Sequence, residues 1–446
     1  MKRETDVLVI GGGPAGLLAA IRAAQMGAGV ILAEKNKELA RKLRITGKGR
    51  CNLTNTVELD VFIRQYGGQG RFLHSAFSRF FWQDICRLLA EAGVETKEER
   101  GGRIFPLSDK AGDVAEALES VASRAGVEVV RSCRVSGLLF SPEGETTGYA
   151  RRIVGASIFD PWDDAEIRAK AVVVATGGLS YPLTGSTGDG YAWARAAGHS
   201  VTALYPALVP LVSPDRWVGE LAGLTLKNVN VSLWTDNRDA DGREDGVKPR
   251  KLAAFQGEML FAHFGLTGPV ILSLSRHVRE ATGRIWVRID LKPALTPEVL
   301  DKRLVRDFAK YQKKQLVNAM VDLLPRALIP AVITAAGLAE NQAVAELTRA
   351  QRRSLVDTLK ALPVGISGTR PIDEAIVTAG GVTLPEIQPG TMASKKTAGL
   401  YFAGELLDID GLTGGYNLQA AFSTGWTAGE SAAKEAGFVG SSTGDC

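Results

Sequence analysis

The chain has 446 residues, 45% of them hydrophobic and 23% charged, with a formal net charge of +4. That length allows roughly two to three domains, and the composition is that of an ordinary globular protein. The small positive excess, with no basic run interleaved with aromatics, argues against a nucleic-acid partner and leaves room for an anionic small ligand. No stretch approaches the roughly 20 apolar residues that span a bilayer. The four cysteines, Cys51, Cys86, Cys133 and Cys446, form no CxxC pair and have no histidines at ligand spacing, so no metal site is expected. Such usage suits a reducing cytoplasm, and on that ground the glycosylation sequons at Asn52 and Asn230 are set aside.

Taken in chain order, "DVLVIGGGPAGLLAAIRAAQMGAGVILAEK" predicts strand, glycine turn, helix, strand. Val7 to Ile10 is a continuous apolar run, as a parallel strand covered on both faces requires. It runs straight into glycines, which a signal peptide would not do. Gly11, Gly13 and Gly16 fit G-x-G-x-x-G, with Pro14 and Ala15 between them. The first glycine permits the tight turn, the second lets backbone approach a pyrophosphate, and the third lets helix and strand pack closely. Leu17, Ala20, Ile21 and Ala24 recur at helical spacing. Glu34, 18 residues beyond Gly16 and followed by Lys35, closes the second strand where it can accept from ribose hydroxyls. Glycine-rich turns also occur for structural reasons alone; the strand, helix and acid in register make this one a dinucleotide site, with the pyrophosphate on the helix N-terminus.

"TGKGRCNLTN", residues 46–55, offers three readings: a phosphate cradle, a nucleophile at Cys51, or a sequon. No base stands near Cys51 in sequence, and cysteine is often simply buried. Further on, "VEVVRSCRVSGLLF" is strand-like, and "AVVVATGG" is a buried strand whose Thr176-Gly177 end can pass close to a cofactor. "GSTGDGYAWARAAGH" opens a helix and lacks the strand and acid of a second nucleotide site. From about residue 200 the character changes. "LTLKNVNVSLWT" and "RIWVRIDL" alternate like antiparallel strands, "NRDADGREDGVKPR" reads as a polar mobile loop, and residues 297–361 carry helical patterns broken at Pro325, Pro330 and Gly337.

The last segment, "GLYFAGELLDIDGLTGGYNLQAAFSTGWTAGESAAKEAG", repeats strand, acidic loop and glycine-opened helix. An NAD domain would not need this return, whereas FAD does, because its flavin extends past the pyrophosphate and requires a second wall. Backbone N–H groups near Tyr416, Asn417 and Leu418 suit the charge that gathers on the flavin N1–C2=O edge during reduction. Gly404, Glu405, Asp408 and Gly415 belong to the same wall, with Glu405 or Asp408 directed at ribitol hydroxyls. The plain alternative is a helix cap beside an acidic surface loop.

With "IGGGPAGLLAA", "TGKGRCNLTN", "GRIFP", "VVVATGG", "GSTGDGYAWARAAGH", "FAHFGLTGPVIL", "VTAGGV" and "GLYFAGELLDIDGLTGGYNLQAAFSTG" in this order, the chain resembles the BaiN/YhiN-like bacterial NAD(P)/FAD-dependent oxidoreductases, which include aminoacetone-oxidase-type flavoproteins. The resemblance implies an α/β fold: a two-dinucleotide-binding-type FAD domain with a Rossmann-like parallel sheet, formed by residues 1–198 and 371–438. It also implies an inserted small β-barrel at 199–295, a helical subdomain at 296–370 and a loose tail at 439–446. It makes residues 46–55 a flavin loop and carries over Lys42, Thr46, Gly47, Arg50, Cys51 and Asn52 as cofactor contacts, with Arg50 or Lys42 pairing phosphate. Val135 is the residue whose backbone would meet adenine. The chain departs from the family at Ala40, where glycine is usual, and at "TGKG", which places an extra cation, Lys48, near the flavin.

The expected activity is hydride transfer between flavin N5 and a small organic substrate held in a cleft between the domains, with NAD(P)H as reductant. The alternatives are an amine oxidase using oxygen and a flavin-dependent sensor that binds a partner. His263, in "GEMLFAHFGLTGP", and Tyr181 are the candidate catalytic groups; histidine is a common proton-transfer residue, although a lone histidine is more often a packed or solvated one. A cytoplasmic location is expected.

Overall fold

A computed structural model describes residues 2–142, 149, 151–159, 165–236 and 249–439. The polar loop expected over 237–250 and the tail at 439–446 fall almost wholly outside the described residues. The chain divides into two units, one made of Met1–Tyr205 and Ile376–Cys446, the other of Pro206–Ala375.

The first unit is built on an eight-stranded sheet. Its middle strand, β1 (Lys2–Ile10), is flanked in parallel by β2 (Val30–Ala33) and by a long strand, Ala165–Val174; Val7 stands between Val30 and Ala171. Burial of Val7, Leu8 and Val9 is complete, which is why the run carries no polar alternation. Strand Glu128–Val130 extends the sheet beyond β2, and Leu400–Phe402 pairs in parallel with Val172–Val174. An antiparallel ribbon, Val135–Phe140 and Arg151–Ile158, leads into the long strand.

Helix α1 (Pro14–Gln25) follows β1 through Gly11, whose φ of +104° a side chain would resist. A Cβ there would lie 2.6 Å from the Ala175 carbonyl oxygen. The C-terminal helix α2 (Tyr416–Glu435) lies against α1 backbone to backbone: a Cβ on Gly425 would fall 2.1 Å from the Ala15 carbonyl oxygen, and one on Gly429 2.1 Å from that of Ala19. Arg22 of α1 ties the far end to Glu430 of α2 at 2.8 Å. Both ends of the polypeptide therefore meet, and the small residues of "PAGLLAA" and "STGWTAG" are what permit it.

In the second unit, strand Thr225–Thr235 pairs antiparallel with both Arg250–Ala262 and Ile285–Asp290. The seven-strand path begins at Leu362–Ile366 and ends at Gly368–Thr369. Those two ends are consecutive stretches of chain separated only by Ser367, so the path returns upon itself. Helices Pro297–Ala309 and Arg349–Lys360 belong to this unit, each started by a threonine whose hydroxyl accepts from an N–H of the first turn. Pro330 was expected to break a helix. It sits instead in the first turn of Ile329–Ala335, where its missing N–H has no bond to lose.

Candidate functional site

The turn after β1 is left open in one direction. A Cβ on Gly13 would meet nothing within 4 Å, whereas one on Gly16 would fall 1.8 Å from the Gly11 carbonyl oxygen. Gly13 is the N-cap of α1; no side chain caps it, and no acid stands in the first turn. Helix-start N–H groups that no side chain caps, beside a glycine that faces open space, fit a pyrophosphate. Glu34 is buried and braces this turn: one carboxylate oxygen accepts from Gly12 N at 2.7 Å, the other from Asn36 N at 2.8 Å and Asn36 Nδ2 at 2.7 Å. The oxygen that accepts from Gly12 N, with one donor against the other's two, keeps lone-pair capacity for a ribose hydroxyl. Thr176, where the long strand ends, holds a buried hydroxyl oxygen with no partner, a group awaiting a bond the protein itself does not supply.

The opposite wall comes from two segments that the sequence keeps far apart. Gly415, at φ +94°, lies so close that a Cβ would sit 2.4 Å from the Thr54 carbonyl oxygen. The Asn52 amide, in the orientation its neighbours satisfy, accepts from Gly415 N at 3.1 Å and donates to the carbonyls of Thr54 and Ile104. Asn417 holds the acidic loop, accepting from Gly411 N at 2.7 Å and donating to Gly411 O at 3.0 Å. Asp408 accepts from Gln69 Nε2 at 2.8 Å, and Tyr66 donates its hydroxyl to Tyr416 O at 2.7 Å. No side chain caps α2 and no acid occupies its first turn, around Leu418. Gly404 donates its N–H to Thr424 Oγ1 at 3.0 Å, which fastens the Leu400–Phe402 strand end to α2.

Between the walls is a polar cluster that sequence reasoning found only in part. Lys42 Nζ lies 2.5 Å from Glu405 Oε2 and 2.6 Å from Ser180 Oγ. The other oxygen, Glu405 Oε1, accepts from Ser180 Oγ at 2.6 Å and Thr378 N at 2.8 Å. Thr378 Oγ1 in turn accepts from Leu179 N at 2.8 Å and Ser180 N at 3.2 Å. Burial works to raise the Glu405 carboxyl, but the Lys42 ammonium, then the hydrogen bonds from Lys42, Ser180 and Thr378, outweigh it and hold the group below its ordinary range. Ser180 and Thr378 carried no motif of their own. Their only signal is that each stands two positions from a glycine pair, in "ATGGLS" and "VTAGGV".

The remaining candidates divide. Lys35 is paired with Asp189 at 2.8 Å and Thr187 at 2.5 Å. Thr46 donates to Leu43 O at 2.7 Å, and Gly47 is left-handed at φ +58°. The Arg50 guanidinium is taken up by Glu99 and, at 2.6 Å, by Asp109, and lies 4.3 Å from the Phe105 ring centroid. Its charge is thus matched within the protein without a phosphate. Burial pushes the Cys51 thiol up to about 12, with a hydrogen bond to Thr46 only partly opposing, so it is no nucleophile at neutral pH. Val135 is buried and pairs with Ile158. Gly177 is left-handed at φ +73°, and Tyr181 is a half-buried residue at φ +51° directly after Ser180. His263 is an exposed residue of the second unit whose ring meets Phe264 edge-on at 4.9 Å. Among the described residues no group of three or more His, Cys, Asp or Glu is placed to hold a metal ion, and no helix is long and apolar enough to cross a membrane.

The parallel Rossmann-type sheet, with two helix N-termini that no side chain caps, is the framework of an FAD-dependent oxidoreductase. FAD would be held by the Gly11–Gly16 turn, Glu34, Thr176, the 46–55 loop and the start of α2. The HI0933-like protein Rossmann domain family matches residues 5–431, and the chain belongs to that family. It is 33% identical over 96% of its length to a 3-dehydro-bile acid delta(4,6)-reductase of Clostridium scindens, covering 98% of that protein. A ribosomal RNA dihydrouridine synthase of Haemophilus influenzae is 29% identical, over 96% of this chain and 98% of that one. Among solved structures, the 3-ketosteroid delta1-dehydrogenase of Sterolibacterium denitrificans shares the fold with a TM-score of 0.54 at 12% identity, over 97% of this chain and all of that one.

Proposed function

We propose that this protein saturates a carbon–carbon double bond conjugated with a carbonyl, with NAD(P)H as the source of hydride. The observation that carries this reading is that two relatives matched over nearly the whole chain, one named for a 3-dehydro-bile acid and one for dihydrouridine, differ in substrate and share that bond type. In the net reaction NAD(P)H gives a hydride to the carbon β to the carbonyl, a proton reaches the α carbon, and NAD(P)+ leaves. Bound FAD supplies the two-electron relay between donor and acceptor. The chain's own residues supply the rest. The Gly13 turn and α1 hold the pyrophosphate, Lys42, Ser180 and Thr378 keep Glu405 ionised and oriented toward ribitol, and α2 directs its first-turn N–H groups at the ring edge. Tyr181, adjoining that cluster, is the proposed proton donor.

The test is anaerobic stopped-flow spectroscopy of the FAD-loaded protein. NADH or NADPH should bleach the flavin, and a conjugated enone should restore its colour at a rate that rises with enone concentration. Bleaching slower than minutes with both nucleotides would overturn NAD(P)H as donor. Fast bleaching with no reoxidation by any enone would overturn the acceptor. Gly13→Ala is the cofactor control, because its Cβ meets only open space in the protein: it should melt like the FAD-free parent and bind FAD poorly.

A further inference from the structure

Residues 47–51 hold a backbone that their side chains make costly. Gly47, Lys48 and Gly49 are left-handed at φ +58°, +59° and +84°, and after Arg50, at φ −93°, Cys51 is left-handed again at φ +60°. Glycine takes that conformation freely, but Lys48 and Cys51 bring a Cβ toward a carbonyl oxygen and resist it. Inside the run, Arg50 N donates to Gly47 O at 3.3 Å and Cys51 N to Thr46 O at 3.0 Å. The rest of the hold comes from outside. The Cys51 side chain is fully buried, and the Arg50 guanidinium is clamped. Its Nε and Nη2 donate to Asp109 Oδ1 at 2.9 and 2.6 Å, Nη2 also reaches Glu99 Oε1, and Nη1 donates to Glu99 Oε2 at 3.4 Å. Each acid has a second cation: Lys97 lies 2.7 Å from Asp109 and Arg103 lies 3.8 Å from Glu99.

The strained run has a destination. A Cβ on Gly47 would lie 3.2 Å from Asn52 N, so the turn folds back on the residues that follow it. Leu53 N then donates to Ile104 O at 2.9 Å, and Thr54 pairs with Ile104 antiparallel. This delivers the Asn52 amide to Gly415 N, at the N-cap of α2. Phe105, whose ring lies against the Arg50 guanidinium, follows Ile104 on strand Arg103–Pro106, and Glu99 ends the strand paired with it, opposite Arg103. Arg50 therefore fastens the loop to the hairpin that also receives Asn52 and Leu53. An isolated exposed ion pair contributes little, but a forked guanidinium shared by two acids, each with a further cation, is a network with a fixed geometry. Any phosphate brought to this guanidinium would also meet two carboxylates.

We propose that Arg50 is a positioning residue for FAD: held between Glu99 and Asp109, it keeps the left-handed run closed so that Asn52 is already seated at the start of α2 when the cofactor arrives. The two acids are then as necessary to FAD as the arginine, although FAD is itself an anion that they repel. Affinity falls in proportion as the closed loop becomes less populated. The proposal rests on the cofactor, and neither the hydride donor nor the conjugated acceptor of the enone reading enters it.

The experiment titrates the full chain, freed of FAD, with FAD at constant ionic strength and reads flavin fluorescence. Arg50→Met should raise the FAD Kd about ten-fold, the result of leaving about one molecule in ten with the loop closed. Glu99→Gln/Asp109→Asn, at two partly exposed positions, should raise it about as much, and adding Arg50→Met to that pair should cost nothing further, because all three changes open the same clamp. Arg50→Lys keeps the charge and loses the fork, so it should recover only part of the affinity. In the FAD-free proteins, endoproteinase Lys-C should cut after the exposed Lys48 faster in each variant than in the parent. Thermal melting certifies folding; should Arg50→Met melt early, the acid pair carries the test. An arginine that binds phosphate and is restrained by its acids gives the opposite sign, with FAD bound more tightly by Glu99→Gln/Asp109→Asn. Tighter or unchanged FAD binding in that variant, full recovery with Arg50→Lys, or cleavage after Lys48 that does not quicken overturns the positioning role. Failure of the loaded parent to reduce any enone sinks the enone reading alone, since these affinities are measured without turnover.

Discussion

Removing the Lys42 ammonium tests how the cofactor unit is held together. Lys42 and Glu405 are 2.5 Å apart with about a fifth of each side chain accessible, 20% and 19%. Deleting one partner of a fully buried pair costs about 3–5 kcal/mol. Here Glu405 would keep two neutral donors, Ser180 Oγ and Thr378 N, and water reaches part of the pair, so Lys42→Met should cost about 2 kcal/mol. Glu405→Gln should cost about 1 kcal/mol, because the flexible lysine can turn toward solvent. Lys42→Met/Glu405→Gln should fall short of the sum by about 1 kcal/mol or more. The pH dependence has a fixed sign. The folded carboxyl is held below its unfolded value, so its contribution is present above about pH 4.3 and lost as pH falls through the depressed folded value. In Lys42→Met only burial and two neutral donors remain, the carboxyl takes up its proton at a higher pH, and the stability gap to the parent must narrow as acid is added. Urea unfolding of the three variants and the parent, from pH 7 down to pH 4, measures all of this. Strictly additive losses, or a gap that stays constant into acid, would refute the reasoning.

Gly425→Ala should destabilise by about 1–3 kcal/mol, since its Cβ would fall 2.1 Å from the Ala15 carbonyl oxygen and the two helices would have to part; a thermal melt equal to the parent's would show that the backbone contact is not as close as described. Cys51 should resist iodoacetamide at pH 8 in the folded protein and react once unfolded, because a thiol raised to about 12 is roughly one part in ten thousand thiolate there; peptide mass mapping reads the outcome. Tyr181→Phe should slow enone reduction by about 10²-fold or more and leave bleaching by NAD(P)H unchanged, so equal loss in both half-reactions would remove Tyr181 as proton donor. Thr176→Val should leave the melting temperature of the FAD-free protein the same or slightly higher, since it removes an unpartnered hydroxyl, while FAD binding weakens; unaltered FAD affinity would exclude that oxygen as a contact.

Whatever depends on neighbours in the chain could be read from the residues alone. The apolar run Val7–Ile10, the glycine spacing after it, and the repetition of strand, acid and glycine-opened helix near residue 415 state their own geometry, because strand burial and positive φ are demands met within a few residues. Partner choice is another matter. Glu34 looked like a ribose ligand and also braces Gly12; Arg50 looked like a phosphate ligand and is matched by Glu99 and Asp109. Lys42 finds its carboxylate 363 positions away, and Asn52 meets Gly415 across a similar distance. The sequence by itself determined which elements form and that two of them suit one extended dinucleotide. Only the tertiary structure decided which charges are already neutralised within the protein and which groups, such as the Gly13 turn and the Thr176 hydroxyl, remain open to a ligand. The physical reason is that a charged side chain has many chemically adequate partners, and only the packing of remote segments brings one of them within hydrogen-bonding reach.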